Sequence, residues 1–171
     1  MAKRHRELLA RLEPVGLNRY QITEADVRSV ETYLRIIQAH LQGQGVSTWA
    51  DILRYGDAYG TSLLIHEIVE LRGLQARGFD PLRLDRHTLS RLLGQNVEAH
   101  VLALFEEHLY LQEVLIRQLG QSFELGTLVR ANTNDEDFEF FLESDVGVFL
   151  VEEERIEAAR RAIAQLKGKT A

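Results

Sequence analysis

The sequence predicts an all-α protein, folded as a compact bundle of about six to eight helices. Apolar residues recur at alternating spacings of three and four in several segments, which is the pattern of one buried helix face. Each pattern lasts only a few turns, which favours a bundle over a long coiled coil. Glycines and the two prolines stand between these segments, where they end one helix or begin the next.

Each predicted helix has a local signal at its start or its end. Thr23 can cap a helix whose first turn carries Glu24 and Asp26, and Asp80-Pro81 combines a cap with a proline at the first helical position. In the first half of the chain, we predict an N-terminal helix and loop over 2–20, a helix over 23–42, a short helix that stops at Gly56 and a helix over 57–77. Short helical segments follow between 80 and 94, and the longest helix covers 96–119. The last part contains a helix from Asn134, a helix over 152–166 and a frayed tail over 167–171.

Two segments near the C-terminus are less regular. Residues 123–129 fit either a short helix or an extended piece of chain. Residues 148–151 are the best strand candidate in the sequence, but a single strand has no partner with which to form a sheet. We therefore expect a short strand-like segment there, in an otherwise helical single domain over 1–171.

Composition excludes several classes of function. A net charge of −6 disfavours nucleic-acid binding, because phosphate-binding proteins are usually basic. The absence of cysteine excludes disulfides, thiolate metal sites and a cysteine nucleophile. The sequence contains no apolar run of the about 18 residues that a membrane span needs, and charges within 7–13 exclude a signal peptide there. We expect a cytoplasmic protein, with a symmetric homodimer as the default assembly.

One local pattern points to chemistry, namely His66-Glu67-Ile68-Val69-Glu70 in the predicted helix over 57–77. A histidine and a glutamate four residues apart lie on the same face of a helix, about 6 Å from each other. That spacing allows His66 and Glu70 to bind one metal ion. Glu67 would then lie beside the ion, where a buried carboxylate with a raised pKa suits a general base.

A third ligand has to come from another helix, and the helix over 96–119 offers His100, Glu107 and His108. His108 lies within the inward-facing apolar seam, whereas His100 lies on a neighbouring face. The two are about 12 Å apart along the helix axis, too far to bind the same ion. At most one of them can therefore complete a metal site with His66 and Glu70.

The motif resembles the helix of the zinc proteases, whose pattern is H-E-x-x-H, with glutamate in place of the second histidine. The resemblance covers five residues. It implies that His66 and Glu70 ligate a metal and that Glu67 activates a water. Because one ligand is a carboxylate, the divalent metal could be zinc, manganese or iron.

Two classes of function follow from these residues. The first is a helical interaction or scaffold domain with no enzymatic activity, in which the histidines and glutamates satisfy one another inside the bundle; its protein partner is unknown. The second is a metal-binding protein or metal-dependent hydrolase with Glu67 as its base. The chain also resembles the all-α nucleotide pyrophosphatases, whose Glu-x-x-Glu pattern Glu67 and Glu70 match, but the helix over 96–119 lacks their Glu-x-x-Asp.

Overall fold

The all-α prediction is confirmed. The computed structural model describes residues 2–41, 49–80, 82–83, 88, 97–143 and 152–168, and these contain no strand. The predicted strand-like segment 148–151 lies outside them, as does nearly all of 80–94 beyond its first residues. The structure gives bounds for nine helices: α1 Ala2–Arg11, α2 Pro14–Arg19, α3 Glu24–Leu41, α4 Trp49–Arg54, α5 Asp57–Ala76, α6 Val97–Leu119, α7 Leu125–Asn132, α8 Asp135–Glu143 and α9 Glu153–Lys167.

Helix α5 is the centre of the bundle. Fourteen of its twenty residues are buried, so it is covered on nearly all sides. It packs most extensively against α6, and α2, α3, α4 and α9 surround the remainder. Polar side chains on such a helix need either a partner inside the protein or a cavity, because the helix is not covered by bulk solvent.

Helix α2 occupies residues that we expected to form a loop. Pro14 begins it, at the first helical position, where the missing N–H of proline is not needed. Gly16 allows a close approach to the core, because a Cβ atom there would lie 2.7 Å from Thr61 Cγ2 and 2.8 Å from Tyr110 Cε2. The proline that ends the N-terminal pattern therefore starts a second short helix.

The irregular segment near the C-terminus is helical. Residues 125–132 form α7, so the helical alternative for 123–129 is the one observed. The predicted start of the next helix at Asn134 is also confirmed, because Asn134 Oδ1 accepts a hydrogen bond from the Asp137 N–H at 2.8 Å. The short turn between α7 and α8 fixes Asp137 at the edge of the cavity described below.

Buried polar contacts join α1 to α3 and α4. The carboxylate of Glu31 accepts hydrogen bonds from Arg4, from His5 at 2.7 Å and from Arg35 at 2.7 Å. Burial alone would raise the pKa of Glu31, but these three donors lower it to about 2. The ring of Trp49, which is 7% exposed, meets the ring of His5 edge-on at 6.2 Å.

Substitution of Glu31 by glutamine should destabilise the protein by about 1–3 kcal/mol at pH 7. The folded-state pKa is depressed, so Glu31 stabilises the fold above pH 4.5 and loses that effect as the pH falls towards 2. Urea unfolding at pH 7 and at pH 3 should show a smaller difference between wild type and variant at pH 3. Glu24→Gln is the matched control on α3, since its bond to Arg6 is exposed.

None of the helices in the described ranges combines the length and the apolar character that crossing a membrane requires.

Candidate metal centre

One face of α5 and one face of α6 line a cavity of about 540 Å³. Tyr59, Leu63, His66 and Glu70 contribute to it from α5 at helical spacings of four, three and four, with Glu67 beside them. His100, Leu104 and Glu107 line it from α6, at spacings of four and three. The helix pair that makes the largest contact in the bundle therefore also lines this cavity.

Three side chains in this cavity bring metal-ligand atoms together. One donor atom each from His66, Glu70 and His100 lie within 4.8 Å of one another. Glu70 Oε2 lies 3.4 Å from His66 Nε2 and 3.0 Å from His100 Nδ1. Ligands at about 2.0–2.2 Å from a tetrahedral zinc ion are separated from each other by about 3.2–3.6 Å, and octahedral neighbours lie closer. The observed spacing fits a single ion.

The opposite atom of each of these side chains is held by a separate partner. His66 Nδ1 donates to Glu107 Oε2 at 2.9 Å, and His100 Nε2 donates to Asp137 Oδ1 at 2.9 Å. The Tyr33 hydroxyl donates to Glu70 Oε1 at 2.6 Å. Metal-binding histidines usually donate their second N–H to a carboxylate in this way, which fixes the tautomer and the ring orientation.

The charges of the cluster depend on one another. Burial by itself would lower the pKa of both histidines, but the hydrogen bonds that they donate to carboxylates raise the pKa of His66 well above 6.5 and that of His100 to about 9. The same pairs lower the pKa of Glu70 against the effect of its burial. A metal ion would replace the protons on His66 Nε2 and His100 Nδ1.

Glu67 differs from its neighbours because it has no partner among the residues that the structure describes. The side chain is 5% exposed and lines the cavity, yet it forms neither a hydrogen bond nor an ion pair with any described residue. Burial raises its pKa to about 8, with further contributions from the negative charges of Glu70 and Glu107 and an opposing one from His66. A carboxylate with this pKa can accept a proton near neutral pH.

His108, the other candidate for third ligand, lies apart from the three converging side chains. It is fully buried, and its Nδ1 donates to the carbonyl of Leu104 at 2.6 Å. Its Nε2 lies 3.2 Å from Asn132 Nδ2, and burial lowers its pKa. These contacts are those of a neutral histidine satisfied within the core. Of the two histidines on α6, the structure brings His100 to His66 and Glu70.

Tyr33 and Asp137 also belong to the cluster, and neither is among the site residues predicted from the sequence. Tyr33 follows the apolar pattern of α3 and looks like any core residue, and its partner is 37 residues away along the chain. Asp137 is one of three acids at a helix start, where acids are common for reasons of helix geometry alone. Neither residue carries a local signal, because both act through contacts between helices.

The acidic pair Glu67 and Glu70 faces histidines on α6. The nucleotide pyrophosphatase pattern would instead place a second acidic pair there, and among the described residues the group that can hold a metal contains one carboxylate and two imidazoles. Comparison of the chain with protein-family models, with curated proteins and with solved structures gives no match. The site therefore has to be interpreted from its own geometry.

Removing the Tyr33 hydroxyl should weaken metal binding without removing a ligand. We expect Tyr33→Phe to lower metal affinity by about 10- to 100-fold, because Glu70 loses the bond that orients it. Zinc titration against a chelating indicator measures the effect. Tyr110→Phe is the matched control, since that buried hydroxyl bonds Glu13 at 2.8 Å outside the cavity. Equal affinity losses in both variants would contradict an orienting role for Tyr33.

Proposed function

We propose that the protein is a metal-dependent hydrolase that binds one divalent metal ion through His66, Glu70 and His100. The observation that supports the proposal is that the two polar atoms of each ligand side chain have different surroundings. One atom of each side chain faces a common point, and the opposite atom is held by Glu107, Tyr33 or Asp137. Histidines and glutamates that merely satisfied one another in a core would not need three separate orienting partners.

Two imidazoles and one carboxylate form a ligand set that suits zinc, manganese or iron(II). One class of catalytic zinc site has the same composition, with three protein ligands and one position left for water or substrate. A divalent ion in such a site acts as a Lewis acid and lowers the pKa of a coordinated water. We favour zinc, because hydrolysis needs no redox change.

Glu67 supplies the proton transfer in this proposal. Its carboxylate takes a proton from the attacking water, whose oxygen forms a bond to the carbonyl carbon of an ester or amide. The bond to the leaving group then breaks, and Glu67 returns the proton to that group. His66 and His100 stay fixed by Glu107 and Asp137 while the charge changes.

Metal analysis of the purified protein tests the proposal directly. Wild type incubated with zinc and then desalted should retain about one equivalent, and His66→Ala should retain almost none. His5→Gln is the matched control, because His5 is also buried and bonded to a carboxylate but lies outside the cavity. A wild-type protein that retains no zinc, manganese or iron would favour the interaction or scaffold hypothesis instead.

Metal binding should release protons and become tighter as the pH rises from 6 to 9. Below its pKa of about 9, His100 carries a proton that the metal has to displace, and the pKa of His66 is also raised. Calorimetric titrations with zinc in two buffers of different ionisation enthalpy give the number of protons released. Binding without proton release at pH 7 would contradict coordination by these histidine nitrogens.

A further inference from the structure

The cavity extends well beyond the metal ligands. Tyr59 and His66 are seven residues apart on the same face of α5, which places them about 10 Å apart along the helix axis. At the Tyr59 end, the side chain of Lys167 enters from α9. Its Nζ atom lies 4.6 Å from the centroid of the Tyr59 ring and 5.5 Å from that of Tyr55. The two tyrosine rings meet edge-on, and both form cation–π contacts with the ammonium group.

Nearly every other charge on the cavity wall is already paired. Asp51 bonds Arg54 at 2.9 Å, Glu107 bonds His66, and Asp137 bonds His100. Within the described ranges, the cavity-lining charges without an ion-pair partner are Glu67 at one end and Lys167 at the other. Glu67 has a role in the proposed reaction, whereas Lys167 has none.

The position of Lys167 is fixed by the backbone as well as by the rings. Its carbonyl oxygen accepts a hydrogen bond from the N–H of Gly56 at 3.2 Å, which joins the end of α9 to the start of α5. Among the described residues the half-buried Lys167 has no ion-pair partner, and the carboxylates of Asp51 and Glu107 act on it only from a distance, so an anionic ligand would stabilise its charge further. A single ammonium group suits a monoanion better than a dianion such as phosphate, because the nearby carboxylates of Asp51 and Glu107 repel two negative charges more strongly than one.

We propose that Lys167 binds a carboxylate of the substrate at the Tyr59 end of the cavity, where Tyr59 lies about 10 Å from His66 along α5. The inference rests on the proposed function and narrows it to a substrate class. The substrate is a carboxylic acid whose hydrolysable bond lies about three extended residues from the carboxylate, the length of a short peptide or a comparable acyl chain.

Hydroxamates of defined length test both ends of the cavity separately. The zinc-loaded protein is titrated with acetohydroxamate, which binds the metal alone, and with octanedioic acid monohydroxamate, which adds a carboxylate at the far end of its chain. The methyl ester of the second compound and its analogues ending in an amine or a phosphonate complete the set. We expect the carboxylate compound to bind at least about tenfold more tightly than the ester, because it gains one charge-assisted contact.

Lys167→Met should remove this preference while acetohydroxamate binds as it does to wild type, and Lys167→Arg should restore part of it. Lys3→Met is the control for loss of a lysine, since that side chain is 90% exposed on α1. Equal binding of the acid and the ester to wild type would overturn the inference and leave the metal site standing. Tighter binding of the phosphonate than of the carboxylate would also overturn it. Failure of every hydroxamate to bind would instead count against the proposed metal site.

Discussion

Replacement of Glu70 by glutamine should both prevent tight metal binding and destabilise the metal-free protein. A zinc site contributes about 10–16 kcal/mol shared among its ligands, so the loss of one ligand costs about 3–4 kcal/mol, or several hundred-fold in affinity. In the metal-free protein, the Glu70 carboxylate lies between His66 and His100, whose pKa values are raised, and it accepts a hydrogen bond from the Tyr33 hydroxyl. Removing this buried charge should cost about 3 kcal/mol of unfolding free energy.

Zinc titration and urea unfolding of the metal-free protein measure these two effects of Glu70→Gln. Glu113→Gln is the matched control, because Glu113 is an exposed glutamate whose pair with Arg19 lies on the surface. We expect that control to change stability by less than about 1 kcal/mol and to leave metal affinity unchanged. A Glu70→Gln protein that retains wild-type zinc affinity would exclude Glu70 as a ligand.

Substitutions of Glu67 should have the opposite effect on stability. Both Glu67→Gln and Glu67→Leu should unfold at higher urea concentration than wild type, because each removes a buried carboxylate with which no described residue pairs. Zinc should remain bound, since Glu67 is not among the three converging ligands. Zinc-dependent hydrolysis of 4-nitrophenyl acetate should fall by about 100-fold or more, because the general base is lost. Glu67 would then lower the stability of the protein and at the same time be required for its activity.

The stability gain from Glu67→Gln should grow with pH. The folded-state pKa of Glu67 is raised from 4.5 to about 8, so at low pH the carboxyl group is protonated in both the folded and the unfolded states and imposes no penalty. Between pH 4.5 and 8, only the unfolded state releases the proton, which favours unfolding of wild type. The difference between variant and wild type should therefore rise across this range to a few kcal/mol and level off above pH 8.

Glu157→Gln, at an exposed position of α9, is the control for loss of a carboxylate in these experiments. Its stability relative to wild type should not change with pH across the same range. A Glu67→Gln variant that is less stable than wild type at pH 8 would show that Glu67 has a stabilising partner, and would contradict its role as a free base.

The helices could be predicted from the sequence because their signals are local. The apolar spacing of α3 and α6 and the cap at Asn134 each depend on residues within a few turns of one another. The helical form of residues 14–19 was missed because Pro14 both ends one helix and begins another, and a sequence pattern cannot distinguish these two uses.

Only those parts of the candidate site that lie on a single helix could be predicted from the sequence. His66, Glu67 and Glu70 share a face of α5, so their proximity follows from helical geometry. The choice between His100 and His108 depends on the rotation of α6 against α5, which no local pattern fixes. The partners Tyr33 and Asp137 come from α3 and α8, and only the packing of four helices brings them to the same cluster.

The burial of Trp49 against His5 gives the chain an optical probe of its own. Trp49 is the single tryptophan of the sequence, and it does not line the cavity. Its fluorescence should be emitted at short wavelength in the folded protein and shift to the red when the contact between α1 and α4 opens. Because zinc has no absorption in this range, the emission reports unfolding without a direct signal from the bound ion, so stability and metal content can be followed independently in one sample.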